Sequence, residues 1–159
     1  SSSYYICHQN AKFQTSKKIP KVLIDEKRFK INSLETYNKF KEKIDKIKKN
    51  LINLLRKLKA QKKVIHGYGA STKGNVLLQY FNIDNKILDC VSDRNPKKNN
   101  CYTPGTNIKI ITESKSRSLN PDYYLVLPWH FKTEILKREK KIRRKGTKFI
   151  FPLPITKII

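Results

Sequence analysis

A strand signal that runs into closely spaced glycines and then into a helix signal restricts this chain more than any other stretch. Lys63-Val64-Ile65-His66 reads as a short buried strand, Gly67-Tyr68-Gly69 as a glycine turn, and Asn75 to Phe81 as a helix with one apolar face. A hydrophobic period that changes across a glycine turn marks a βα unit, and such units build parallel sheets. The same alternation continues. Ile87 to Asp93 reads as a second strand, Ile108 to Ile111 as a third, and Asp122 to Leu127 as a fourth stopped by Pro128. A Lys-rich helix from about Phe131 to Lys145 ends at Gly146, and Lys148 to Phe151 makes a last strand. The expected fold is α/β, a Rossmann-like, mostly parallel sheet with helices on both faces.

A long amphipathic helix is expected to precede that domain. From Ser33, a suitable N-cap with Glu35 in the first turn, apolar residues recur at Tyr37, Phe40, Ile44, Ile47, Leu51, Leu54 and Leu58. A helix from Ser33 to Gln61 would be about 42 Å long, more than a domain of ~100 residues is wide. Part of it is expected to pack on something outside this sequence or on a second copy, which makes a homodimer through this helix an expectation. Residues 1 to 32 read as an N-terminal extension that opens with a strand-like Tyr4-Tyr5-Ile6-Cys7-His8, and residues 62 to 159 as the Rossmann-like domain.

Composition enters as a question about partners. The 36 Lys and Arg exceed the 12 Asp and Glu by 24 charges, which suggests phosphate-bearing partners or an anionic surface. Yet Lys dominates the excess, and Arg is the better bidentate reader of phosphates and bases. Most of the charge falls in the two helical regions, residues 33 to 63 and 131 to 148, facing away from the apolar seams. No zinc finger, RNP aromatic pair or GXXG clamp accompanies it, so a specific nucleic-acid partner is not expected. Cys7, Cys90 and Cys101 form no CxxC pair, which argues against a disulfide framework, a zinc site or any metal site. No apolar run approaches the ~20 residues of a membrane span, and a reducing cytoplasm is the expected setting. A chain with no Met that begins Ser1-Ser2-Ser3 is expected to be one piece of a longer polypeptide.

Several loops carry ligand chemistry beside a plainer reading. In Gly67-Tyr68-Gly69-Ala70-Ser71-Thr72-Lys73-Gly74 the glycines would let the backbone turn sharply and bring bare amides near a ligand. Ser71 and Thr72 add donors and Lys73 a cation. The third glycine is misplaced for GxGxxG, and Lys73-Gly74 reverses the P-loop order, so the same residues also fit a tight strand-to-helix turn. Asp93 stands 24 residues past Gly69, where a ribose-binding acid belongs, and equally where a strand-end acid is merely solvated. Asn95 follows in a Pro-containing turn with Arg94, Lys97 and Lys98, the basic group best placed for a phosphate. Tyr102, Pro104, Gly105 and Thr106 would hold a loop at the carboxyl end of the sheet, or form an ordinary turn. Trp129 and His130 offer an aromatic face and an imidazole, with packing as the alternative for the Trp. His66 on a buried strand reads as a satisfied core residue.

The order of these motifs carries a resemblance that none carries alone. GYGASTKGNVLLQYF, VSDRNPKK, YTPGTNIKI, PDYYLVLPWHF and GTKFIFPLP, in one chain at these separations, resemble the C-terminal domain of the S-adenosylmethionine-dependent sugar C-methyltransferases over roughly residues 33 to 154. The helix with Tyr37 and Phe40 is similar to the connecting helix of that family, and Ser3-Tyr4-Tyr5 to the tail of its methyltransferase domain. The resemblance implies a three-part enzyme with a zinc-binding segment, a central domain holding S-adenosylmethionine and the catalytic base, and this domain on the side of the nucleotide-sugar substrate. Methylation in that family goes to a sugar carbon beside a keto group. The resemblance puts no catalytic residue and no S-adenosylmethionine site in this chain. It places Gly67 through Ser71, Lys73 and Gly74 on the glycine loop, Asp93 and Asn95 on an acidic turn, Tyr102 and Pro104 to Thr106 on a Pro-Gly loop, and Trp129 on a Pro-Trp turn. Two positions depart from the pattern: His130 stands where Asn is usual, and Lys109 where Pro is usual.

The expected function is substrate positioning within a methyltransferase, with the nucleotide-sugar and an upstream methyltransferase domain as partners. In that expectation loop amides and Lys73 take the diphosphate, Asp93 a ribose or neighbouring hydroxyl, and Tyr102 and Trp129 pack on sugar or base. Two rivals remain open on sequence grounds. One is a free-standing nucleotide-binding domain of an oxidoreductase; the other is a basic adaptor for nucleic acid or an acidic partner.

Overall fold

The computed structural model describes residues 3–159, so Ser1 and Ser2 of the expected N-terminal extension lie outside the described residues. Two compact units are present, one ending at Lys43 and the other running from Ile44 to Ile159. In the first, Tyr4 to His8 forms no strand. Tyr4, Tyr5 and Ile6 are almost fully exposed, and a strand without a partner strand has nothing to accept its backbone donors. The apolar group Val22-Leu23-Ile24 lies instead in helix α1 (Lys18–Arg28), which buries no residue.

Helix α2 spans Leu34–Ala60, close to the range its apolar seam predicts. In the second unit its core contacts are Leu51, Leu55 and Leu58, with Ile44, Ile47 and Leu54 half-buried. Leu55 lies outside a seam built from alternating steps of three and four residues, yet it is fully buried. A straight helix has 3.6 residues per turn, so its buried face drifts off a 3.5-residue seam, and Leu55 comes inward. Toward the other end Tyr37 and Phe40 are exposed.

The sheet has six strands in the order β3-β2-β1-β4-β5-β6: β1 (Ile65–Tyr68), β2 (Cys90–Asp93), β3 (Ile110–Thr112), β4 (Tyr123–Val126), β5 (Lys148–Phe151) and β6 (Lys157–Ile158). The first five are parallel, and β6 pairs antiparallel with β5 at the edge. The fold is therefore α/β with a mostly parallel sheet. Alternate residues feed two cores. Ile65, Val91, Leu125 and Ile150 pack with α2 and with α3 (Thr72–Phe81). Tyr68, Tyr124, Val126, Phe149 and Phe151 pack with Ile135 of α5 (Lys132–Arg138) and Ile142 of α6 (Lys140–Arg144). Both faces are covered, which is why the strands are apolar throughout.

Three elements differ from expectation. β1 starts two residues later than its apolar run and continues through Gly67 and Tyr68, so the turn begins only at Gly69. Gly67 is there for close approach: a Cβ would lie 2.7 Å from Val91 Cγ2 on the paired strand. A helix the sequence did not announce, α4 (Glu113–Ser118), follows β3. The single helix expected over residues 131 to 145 is interrupted at Glu139, which leaves the helical region at φ −93° and ψ 21°. Among the described residues all three cysteines are free, and no helix is long and apolar enough to cross a membrane.

Candidate functional site

Strand order dictates where a ligand would sit. The chain moves from β1 outward to β2 and β3, then returns through α4 to place β4 on the other side of β1. Outgoing and returning connections diverge at that switch point, and a crevice opens outside the carboxyl ends of the strands. A cleft of about 450 Å³ lies there, bordered by the ends of β1 and β2, the start of α4, Pro128 after β4, and one wall of α5.

Of the residues the sequence singles out, Tyr68, Gly69, Ala70, Ser71 and Asp93 line this cleft. Gly69 makes the turn at φ 79°, a backbone shape that disfavours any side chain. The loop amides are not bare. Gly69 N–H donates to the Ser92 carbonyl at 2.7 Å, Ser71 N–H to the Gly69 carbonyl at 2.8 Å, and Ala70 N–H to Asp93 Oδ2 at 2.7 Å. Ser71 caps α3 by accepting from Gly74 N–H at 3.1 Å. Asp93 also accepts from Asn95 N–H at 2.8 Å, and Lys98 Nζ stands 3.5 Å from its Oδ2 while donating to the Ala70 carbonyl at 2.7 Å. With 13% of its side chain exposed, Asp93 is turned into the loop and fastens it to the end of β2.

The remaining candidates are placed elsewhere. Gly67 is buried in β1, and Gly74 faces Leu127, whose Cβ would lie 2.6 Å from an added Cβ. Thr72 and Lys73 are exposed on the first turn of α3 outside the cleft lining. Asn95 caps the short turn Pro96–Lys98 by accepting from Lys97 N–H. The Pro104–Gly105–Thr106 loop packs on α3: Gln79 donates to the Pro104 carbonyl, and Thr106 shares a 2.7 Å hydrogen bond with buried Thr103. Tyr102 pairs with Lys109 in an isolated bridge and is half exposed. Trp129 packs against both cores, and exposed His130 lies against Phe131, their ring centroids 4.3 Å apart. None of these borders the cleft.

Two members of the basic turn after β2, Arg94 and Lys98, also line the cleft while Lys97 does not, and the rest of the lining comes from residues the sequence does not single out: Glu113 from α4, and Phe131, Glu134, Ile135 and Arg138 along α5. Its floor is an ion network. Glu139, 4% exposed, accepts from Tyr68 Oη at 2.8 Å, from both Nε and Nη2 of Arg117, and from Arg138 Nε at 3.1 Å. Glu113 accepts from Arg117 and Arg138, and Arg138 also donates to Tyr68 Oη. Burial pushes the Glu139 carboxyl up, but the hydrogen bonds from Arg117 and Tyr68 outweigh it and hold Glu139 below its ordinary value. Burial, followed by the Glu139 hydrogen bond, raises the Tyr68 phenol, so it stays a donor at neutral pH. A second polar chain runs beside this one: His66 Nδ1, Ser116 Oγ and Tyr124 Oη are linked at 2.8 Å each, all buried. Burial lowers His66 below its ordinary value. Among the described residues no group of His, Cys, Asp and Glu is arranged to hold a metal ion.

A mostly parallel sheet with a cleft at its switch point and a glycine turn after β1 define a Rossmann-like α/β domain, with Arg94, Lys98 and Arg138 interspersed with Asp93, Glu113 and Glu134 around the opening. The chain belongs to the C-methyltransferase C-terminal domain family, whose sequence profile matches residues 1–154. It is 30% identical over 141 residues to the C-methyltransferase NovU of Streptomyces niveus, an alignment that covers 89% of this chain and 34% of that protein. The chain thus spans about a third of the length of that curated relative.

Proposed function

We propose that this domain holds the nucleotide-linked sugar on which a C-methyltransferase acts, and that the switch-point cleft receives the diphosphate. The supporting observation is the cleft's equipment: Arg94, Lys98 and Arg138 border it at the one place in the sheet where ligands enter such folds. Arg94 is exposed, and Lys98 has donor capacity beyond the Ala70 carbonyl. Because the amides of Gly69, Ala70 and Ser71 already have acceptors, the ligand groups for phosphate are these side chains rather than the loop backbone. Exposed Phe131 adds an aromatic surface at the rim. The work of this domain is orientation, which lowers a barrier by fixing the reacting carbon against groups supplied by the rest of the enzyme.

Membership in a methyltransferase family implies S-adenosylmethionine as the methyl source of the full-length enzyme. The residues at the β1–α3 turn do not fit that donor. Asp93, the acid placed for a ribose, is turned inward and spends its oxygens on Ala70 N–H, Asn95 N–H and Lys98. The donor site and the base that removes the proton beside the keto group are assigned to the preceding part of the enzyme, the expected partner of this domain.

Calorimetry of the chain with nucleoside diphosphates and their sugar conjugates tests the reading. Binding is expected, with Arg94→Ala and Lys98→Ala each raising Kd by about tenfold, the usual loss for a charge-assisted contact. Absence of binding, or binding that neither substitution weakens, sinks it. A preference for a nicotinamide dinucleotide would favour the oxidoreductase reading instead.

A further inference from the structure

We infer that Arg138 is an oxyanion-binding residue of the cleft and that Tyr68 and Glu139 are its positioning residues. The inference rests on the reading that the cleft takes a phosphorylated ligand. It begins from the way Arg138 is held. A guanidinium carries five N–H donors in a rigid fork. In this structure Arg138 spends Nε on Glu139, and its Nη2 on Tyr68 Oη and Glu113. Its Nη1 has no protein acceptor among the described residues, although the side chain borders the cleft and is 37% exposed. The guanidinium also lies over the Tyr68 ring, 5.4 Å from its centroid.

A network this size is more than a solvated arginine needs. Long surface side chains lose entropy when fixed, and exposed ion pairs contribute little, so an ordinary surface arginine stays mobile. Here one buried carboxylate, Glu139, interrupts a helix to reach inward, and both Arg117 and Tyr68 converge on it. Arg117 neutralises Glu139 and does not itself border the opening. Of the network members that also border the cleft, Tyr68, Glu113 and Arg138, the last is the cation. Fixing the fork before binding removes the ordering cost from the binding step. An oxyanion is the matching ligand, because an arginine pairs best with carboxylate or phosphate oxygens.

The test uses inorganic pyrophosphate as probe, with calorimetry for affinity and the Arg138 Nε–Hε resonance for geometry. Pyrophosphate is expected to shift that resonance, and Arg138→Ala and Arg138→Lys are each expected to weaken binding by about tenfold, since lysine keeps the charge and loses the fork. Tyr68→Phe removes one hydroxyl and no charge; it is expected to weaken binding about threefold and to broaden the Arg138 signal. Glu139→Gln keeps an acceptor oxygen and should recover affinity relative to Glu139→Ala; should either Glu139 variant fail to fold, the Tyr68 and Arg138 variants decide alone. Pyrophosphate affinity and the Arg138 resonance both unmoved in Tyr68→Phe would reduce the network to a structural one and overturn the positioning role. Binding that depends on Arg94 and ignores Arg138 would overturn the inference and leave the proposed function standing. No binding of pyrophosphate or of any nucleoside diphosphate would overturn both.

Discussion

Removing the Asp93 carboxylate should destabilise the whole domain, although its position at a strand end suggests a ligand role. Asp93 accepts from Ala70 N–H at 2.7 Å and Asn95 N–H at 2.8 Å, and Lys98 stands at 3.5 Å. Ala70 is 4% exposed, so its amide loses more than that of exposed Asn95, which rehydrates freely, when the carboxylate is removed. A hydrogen bond to a charged acceptor is worth about 1.5–3 kcal/mol, and the second contact adds less, giving about 2–4 kcal/mol for Asp93→Ala. For a chain of this length that corresponds to a drop in Tm of roughly 5–15 °C. Asp93→Asn should fall about halfway, because an amide can accept from one N–H and must turn its own donor toward the other. Thermal unfolding read by circular dichroism, with amide exchange at Ala70 as a local probe, measures both. If Asp93→Ala melts within about 1 °C of the parent and Ala70 stays protected, the carboxylate does not fasten the loop, and the reasoning that separates it from ligand binding fails.

Two further outcomes follow from packing and from titration. Gly67→Ala should cost about 1–3 kcal/mol, because its Cβ would meet Val91 Cγ2 at 2.7 Å between paired strands, and Val91→Ala in the same chain should restore part of the loss in urea denaturation. Burial holds the His66 pKa below its ordinary value, so the unfolded chain takes up a proton near pH 6.5 and the folded chain does so only at lower pH. The stability tied to this group is complete above that pH and is lost as pH falls toward the folded pKa, at no more than about 1.4 kcal/mol per pH unit. Urea midpoints at pH 7.5 and 5.5 should therefore differ in the parent and differ less in His66→Gln; an equal difference in both contradicts the buried neutral imidazole.

Hydrophobic period made most of this fold legible. β4 and β5, and the length of α2, follow from runs that alternate or recur as burial requires. Helix α4 escaped because its sequence, Glu113 to Ser118, contains no apolar residue; it is seated by Ser116 on His66 and Tyr124, and by Arg117 on Glu139, and polar docking leaves no period to read. Strand β6 is two residues long and has no pattern of its own. For the cleft, the turn after β1 and the acid after β2 could be placed because glycine and a strand end mark them. Tyr102, the Pro104 to Thr106 loop and Trp129 also stand near strand ends in the sequence, yet Tyr102 is held in a backbone bridge to Lys109, the loop packs on α3, and Trp129 packs against the cores. Phe131, Glu134 and Arg138 were hidden in a Lys-rich stretch that reads as a solvated helix face. The signal that could have found Glu113 and Phe131 is topological, since they follow β3 and β4 at the carboxyl edge of the sheet, where ligands bind in open α/β folds.

Most of the +24 charge has no counterpart in the cleft, where Arg94, Lys98 and Arg138 are opposed by Asp93, Glu113 and Glu134. Specificity for a phosphorylated ligand therefore rests on the placement of a few groups and not on the bulk field. Titration of the 15N-labelled chain with a nucleoside-diphosphate sugar at moderate salt, read as an amide shift map, tests that claim most directly. The account predicts shifts confined to Gly69–Ser71, Asp93–Lys98, Glu113 and Phe131–Arg138. Shifts spread along the lysine-rich faces of α2 and α6, with the residues around the cleft unmoved, would contradict it.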